Sequence, residues 1–258
     1  MEWVTIILAS LLAAISPAGL ILDSVLENRI RSQIAAVEQL EVRIDNAPSY
    51  QILQGKIERL RIASRGLEPI EDLRIEALEL ETDPMAIDWE QLQSSGNIQD
   101  SVAQLQGGVR LVLTETDLNQ ALQSPLVQSQ LQQLLSQLPG ATQAREYELV
   151  DPRLELDSTR LRIQAELKQA GTDESLRVSL ESGLEVSDGH TLLLVEPKGT
   201  IDGRPLSQRL LQGIAQGISQ RFFDLRRLEE AGIVARLLQL DIQAERLKMA
   251  AFIRVEKT

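Results

Sequence analysis

The chain has 258 residues, 43 % of them apolar and 25 % charged, with a formal charge of −12 at pH 7. That acidity excludes a broad polyphosphate partner such as nucleic acid, and an aromatic content of 3 % excludes base-stacking or sugar-stacking platforms. Without cysteine there is no disulfide, thiolate metal site or cysteine nucleophile, and a single histidine, His190, cannot build a histidine zinc cluster.

Residues 3–22 carry no charge, and their only hydroxyl side chains are Thr5, Ser10 and Ser16. At about 1.5 Å per helical residue this run spans a hydrocarbon core of about 30 Å. It reads first as a membrane anchor or uncleaved signal over residues 1–22. A cleaved secretory signal is opposed by Glu2 in the place of a basic leader and by Pro17 near the cleavage region. A buried core helix is the third reading. Arg29 and Arg31 follow the run and give only a thin basis for topology. Residues 23–258 remain for the folded part.

A helical period over 23–39 places Val25, Leu26, Arg29, Ile30, Gln33, Ile34 and Val37 near one mostly apolar stripe. Strand alternation begins at Leu40 with Val42 and Ile44, breaks at 46–49, and resumes over 51–63 through Gly55. Leu73, Ile75 and Ala77 alternate, and then Leu78, Leu80 and Thr82 take over; a jump of one in a period of two predicts a β-bulge and a bent sheet. Val109, Leu111 and Leu113 lead into Thr114 and Asp117, which have capping-box spacing, so a helix starts there. Ser124-Pro125 restarts it, with Val127, Leu131, Leu134, Leu135 and Leu138 on one stripe, and Pro139-Gly140 ends it.

The second half predicts strands through Leu154 and Leu156, through Leu161, Ile163, Ala165 and Leu167, through Val178 and Leu180, and as a buried run over 192–195. His190 falls in the turn Ser187-Asp188-Gly189-His190 and reads as solvated. A helix begins near Arg204-Pro205, with Leu206, Leu210, Ile214, Ile218, Phe222 and Leu225 along one side. Two strands, over 234–242 and 247–255, close the chain. Hairpins dominate and βαβ alternation is absent, which is α+β with a mainly antiparallel sheet.

The block 49–62 (SYQILQGKIERLRI) resembles an early strand pair of the bacterial LmeA-like phospholipid-binding proteins, as does 73–88 with its paired leucines. The segment 109–122 (VRLVLTETDLNQAL) resembles that family's strand-to-helix passage most closely, and the apolar leader followed by a charged helix is similar to the form common in cyanobacteria. The resemblance implies a phospholipid-binding protein of the cell envelope on the extracytoplasmic side. It also implies a fold similar to tubular lipid-binding domains, in which a curved antiparallel sheet wraps long amphipathic helices around an apolar groove.

Such a groove needs aliphatic linings and a few polar groups for the head. The alternating faces supply Ile75, Ala77, Leu111, Leu113, Leu161, Ile163, Met249, Ala251 and Ile253, with Leu131 and Leu135 opposite; all of these also suit an ordinary core. Arg204, Arg209, Arg221, Arg226 and Arg227 stand against only Asp224 within 204–227 and suit a phosphate headgroup or an anionic surface. Residues 118–144 carry no charge, which fits contact with a membrane or with a second protomer. Lys56, Arg59, Arg61 and Arg65 read as a solvated face. No P-loop, Rossmann fingerprint, EF-hand loop or H-E-x-x-H is present, so no catalytic residue, metal or cofactor is expected. An envelope scaffold that holds partner segments in an apolar groove is the alternative, and a hydrolase with unidentified carboxylates is the third hypothesis.

Overall fold

The computed structural model describes residues 27, 30–31, 34–46, 49–88, 90–91, 102, 105–137, 147–169, 174–222 and 224–255. The apolar run 3–22 and its reading as an anchor lie outside the described residues, as does the predicted helix stop at 139–140. No described helix is long and apolar enough to cross a membrane.

The elements in chain order begin with β1 (Ala36–Asp45), a 3-10 turn (Ser49–Gln54), β2 (Lys56–Ile57), β3 (Arg59–Ile70), β4 (Leu73–Thr82), β5 (Met85–Ala86) and β6 (Leu105–Thr114). Helices α1 (Glu115–Gln123) and α2 (Pro125–Gln137) follow, then β7 (Tyr147–Leu156), β8 (Arg160–Gln169), β9 (Ser175–Ser187), β10 (Thr191–Ile201) and β11 (Arg204–Pro205). Helix α3 (Gln208–Phe222), a 3-10 turn (Leu225–Ala231), β12 (Ile233–Gln243) and β13 (Arg246–Val255) complete the described elements. The fold is therefore α+β and dominated by antiparallel sheet. Among the described residues the helices are short: the longest, α3, has 15 residues.

The chain divides into two compact units, Met1–Val112 with Leu225–Gln239 and Met249–Thr258, and Leu113–Asp224 with Leu240–Lys248. The first unit is built on a six-stranded sheet of order β1-β3-β4-β6-β13-β12, beside the small β2-β5 pair. Its core includes Leu60, Ile62, Leu67, Ile75, Leu228 and Ile233, all essentially inaccessible. On the solvent side Arg61 pairs with Asp45 at 3.1 Å and Glu81 at 3.1 Å, Arg59 with Glu81 at 3.2 Å and Arg65 with Glu79 at 3.6 Å. These arginines form the solvated face that the alternation indicates, and exposed pairs of this kind contribute about 0–1 kcal/mol each.

Four local expectations are corrected in these elements. Ala36–Gln39 belong to β1 and not to a helix, because Leu67 and Arg65 of β3 pair with Val37 and Gln39. The strand pattern does not run through Gly55: a 3-10 turn precedes it, Gly55 has φ +75, and a Cβ there would collide with the Ile87 carbonyl. No bulge sits at Ala77/Leu78. The register from Leu67↔Ile75 to Arg61↔Glu81 is unbroken, and the shift falls between Leu67 and Ile70 of β3. β4 instead changes the face it buries, Ile75 and Ala77 on one side and Leu78, Leu80 and Thr82 on the other, since successive residues point oppositely. Finally, Arg204-Pro205 is an edge strand paired with Thr200 and Ile201, and the helix starts only at Gln208.

The second unit is a five-stranded antiparallel sheet of order β11-β10-β9-β8-β7 with α1, α2 and α3. Thr114 and Asp117 form the predicted capping box, the Thr114 hydroxyl accepting from the Asp117 amide at 3.1 Å and the Asp117 carboxylate from the Thr114 amide at 3.0 Å. Ser124 closes α1 by donating to the Ala121 carbonyl at 2.7 Å and opens α2 by accepting from the Val127 amide at 3.3 Å. His190 lies in the β9–β10 turn, half-buried, its amide donating to the Ser187 carbonyl at 3.1 Å.

The outer edge of β7 is satisfied by side chains instead of a further strand. Asn119 accepts from the Leu154 amide and donates to the Leu154 carbonyl, both at 2.8 Å. Gln132 likewise donates to the Tyr147 carbonyl at 2.8 Å and accepts from the Leu149 amide at 3.1 Å. Gln123 donates to the Pro152 carbonyl at 2.9 Å, and Glu115 accepts from the Leu156 amide at 2.7 Å. A side-chain amide can both give and take on one strand edge, as a carboxylate or an ammonium cannot, which accounts for part of the missing charge over 118–144. Gln132→Glu and Asn119→Asp should each cost about 1–3 kcal/mol in urea denaturation, by stranding a strand carbonyl. Gln128→Glu, at a side chain outside this ladder, should stay within about 0.5 kcal/mol.

The sheet of this unit is two-faced. On the polar face Arg162 bonds Glu155 at 3.1 Å and Glu181 at 3.3 Å, and Arg160 Nε lies 2.7 Å from Glu181 Oε1. That last approach is an ion pair with poor hydrogen-bond alignment; Arg160 donates instead through Nη2 to the Glu196 carbonyl at 3.0 Å. The Arg162 hydrogen bond holds the Glu181 carboxyl below its usual range, outweighing partial burial, and the Arg160 charge adds to it. A carboxyl depressed in the folded state stabilises fully above its unfolded value of about 4.3 and loses that contribution as pH falls through the folded value. Glu181→Gln should therefore flatten the acid limb of the stability–pH profile and leave its neutral-to-alkaline shape unchanged.

Candidate functional site

The apolar face of the second sheet follows from its registers. Leu149, Leu167 and Leu176 form one cross-strand row, Ala165, Val178 and Ile201 the next, and Leu154, Ile163, Leu180 and Gly199 a third. Leu156, Leu161 and Ser182 form a fourth, beyond which Leu184 pairs with Leu194 and Val186 with Leu192.

Burial changes along these rows. Leu156, Leu161, Leu180, Leu192 and Leu194 are buried and Ser182 is 0 % exposed, its hydroxyl 2.8 Å from the Val195 carbonyl, while Leu184 is half-buried and Val186, at the far margin, is exposed. The β12–β13 turn closes this end, because Glu245 accepts from the Glu115 amide at 2.9 Å and donates to the Leu156 carbonyl at 3.3 Å. Toward the other end Leu149, Ile163, Ala165, Leu167, Leu176, Val178 and Ile201 are only half-buried. An apolar row that is neither sealed nor broken by charge is unusual in a core and ordinary in a ligand site.

The helices account for the gap. Helices α1 and α2 pack on β7 and α3 packs on β10, while no comparable helix packing reaches β8 or β9 among the described residues. Gly199 gives α3 its seat: a Cβ there would lie 2.8 Å from Leu211 Cδ2 and 3.2 Å from Leu206 Cδ1. Ser219 accepts from the Leu194 amide at 3.2 Å, and Leu211, Ala215 and Ser219 are buried on one stripe. The neighbouring stripe of Leu210, Ile214 and Ile218 is half-buried. The result is a strip floored by β8 and β9 and flanked by helices packed on β7 and on β10.

The predicted lining residues are divided between the two units. Ile75, Ala77, Leu111, Met249, Ala251 and Ile253 belong to the first unit, where Ile75, Ala77 and Ile253 are buried core and Leu111, Met249 and Ala251 are half-buried. Leu113 and Leu161 are buried in the second unit. Ile163 lies on the strip, Leu131 is half-buried on α2, and the Leu135 side chain is outside the described residues. The site residues missed by the sequence reading are Ala165, Leu167, Leu176, Val178 and Ile201. Their alternation matches that of Leu161 and Ile163, and nothing in the sequence marks the end of the face that lacks a cover. The run 192–195 is likewise not buried throughout, since Leu193 is exposed and Val195 half-buried.

The arginines also divide. Arg204 is exposed on β11 and Arg209 is exposed at the start of α3, with Arg221 at its far end, its side chain outside the described residues. Arg226 and Arg227 are exposed on the 3-10 turn of the first unit. They therefore do not form one helical face, because β11 and the second 3-10 turn interrupt the predicted helix. An open depression of ≈ 600 Å³ lies in the first unit along β1. Glu41, Arg43, Asp45, Asn46 and Glu58 line it beside Leu40, Val42 and Ile44, so its walls are too charged for acyl chains.

No curated protein and no solved structure matches the chain. A family model described as LmeA-like phospholipid-binding matches residues 13–252, nearly the whole length. The chain belongs to the LmeA-like phospholipid-binding family.

Proposed function

We propose that the protein binds a phospholipid without catalysis, its acyl chains laid along the half-buried strip of β8 and β9. The observation that supports this most is the step in burial along one continuous apolar face, sealed at Leu161 and Ser182 and only half-buried at Leu167 and Leu176. Each methylene withdrawn from water there contributes about 0.8 kcal/mol. The family supplies the ligand class, and the aliphatic floor suits chains that have no directional contacts to make.

In this reading the uncharged run 3–22 holds the protein at a bilayer, and the folded units work on the extracytoplasmic side of the cell envelope. A strip open at one end lets a lipid enter and leave, which fits shuttling between a membrane and an acceptor.

Native mass spectrometry of the full chain, purified without delipidation, should show a mass increment of one phospholipid. Ala165→Trp and Val178→Trp fill the floor and should lower uptake of a fluorescent phospholipid by about tenfold or more, a loss equal to about two buried methylenes. Val150→Trp, on the charged face opposite, should leave uptake unchanged. Lipid-free wild-type protein, or equal uptake by all three variants at unaltered melting temperature, would contradict the proposal.

A further inference from the structure

The strip's two ends differ in charge as well as in cover. Of the arginines on β7, β8 and β9, Arg153, Arg160, Arg162 and Arg177 each face a carboxylate within 4 Å on the polar side. Arg204 and Arg209 are exposed and make no ion pair or side-chain hydrogen bond among the described residues. Two unneutralised guanidinium groups five residues apart are notable in a chain of net charge −12.

Their position is fixed by backbone pairing. Arg204 on β11 pairs with Ile201, and Ile201 pairs with Val178 on β9, a row of the half-buried part of the strip. The Leu206 amide donates to the Gly199 carbonyl at 2.9 Å, which holds the entry to α3 beside the same part of β10. Arg209 lies in the first turn of α3, where no acidic residue competes. The sealed end, by contrast, is lined by Leu161, Leu180, Leu192 and Leu194.

We infer that the strip has a fixed polarity, with the phosphate of an anionic phospholipid held by Arg204 and Arg209 at the open end and the acyl chains directed toward the sealed one. This rests on the lipid-binding reading above and adds the headgroup class and the orientation. A guanidinium fork matches two phosphate oxygens at once, and a net negative headgroup gains from both cations where a zwitterion cancels part of the field.

The test uses the full chain with Arg204→Glu and Arg209→Glu combined, both exposed sites where folding is not at risk. Two fluorescent probes with identical chains are titrated: phosphatidylglycerol, and diacylglycerol, which has no phosphate. The wild type should prefer phosphatidylglycerol, and the variant should lose about tenfold for it and nothing for diacylglycerol. Unchanged phosphatidylglycerol binding by the variant, or equal loss for both probes, would overturn the arginine assignment and leave the acyl strip standing. Displacement of the phosphatidylglycerol probe by inorganic phosphate at the same concentration would make this a free-phosphate site and overturn it too. A wild type that takes up neither probe would sink the inference together with the lipid-binding reading.

Discussion

The arrangement of the second unit depends on how its helices are attached to its sheet. Helices that lie across the middle of a sheet bury its apolar face; here they are tied to the sides. Asn119, Gln123, Gln132 and Glu115 bond to the backbone of β7, the strand at one margin, and Leu211 of α3, with Leu206 just before it, closes on Gly199 of β10 near the other. The middle strands β8 and β9 thus retain an apolar face that their own unit covers only in part. Side-chain amides that mimic a neighbouring strand also blunt a margin that would otherwise invite another chain.

The same constraint separates the two kinds of apolar surface in this protein. In the first unit the aliphatic side chains of β3 and β4 meet others at close range, and residues such as Leu60 and Ile62 are inaccessible. Around Val178 and Ala165, residues of the same type and spacing remain half in solvent. Under the proposed lipid binding, the ligand itself supplies the missing contacts and offsets the cost of leaving them so. The polar side of that sheet carries the solubility, through the Arg160, Arg162, Glu155 and Glu181 cluster.

Much of the local structure was legible in the residues. Thr114 and Asp117, Ser124 and Pro125, and the alternation through Leu161 to Leu167 each specify their element by chemistry that acts within a few positions. The family was legible too, from turns and phase and not from any reactive group. The site was not, because alternation states which residues share a face and is silent on what lies over it. Ile75 and Ile163 look alike in sequence; the first is core and the second borders the strip. The apparent bulge at Ala77 misled for a related reason, since a switch of buried face and an inserted residue write the same pattern. The uncharged stretch from 118 hid its use because hydrogen bonds to β7, about 35 residues distant in sequence for Asn119, leave no periodic trace.

The most direct examination of the account is to place a spin label on the acyl chain of a bound phospholipid and record the methyl spectrum of the full protein. Strong broadening is expected at Leu167, Leu176, Val178 and Ile201 with sharp signals at Ile62 and Ile75. Broadening centred on the first unit, or none at the four strip residues while lipid is bound, would contradict it.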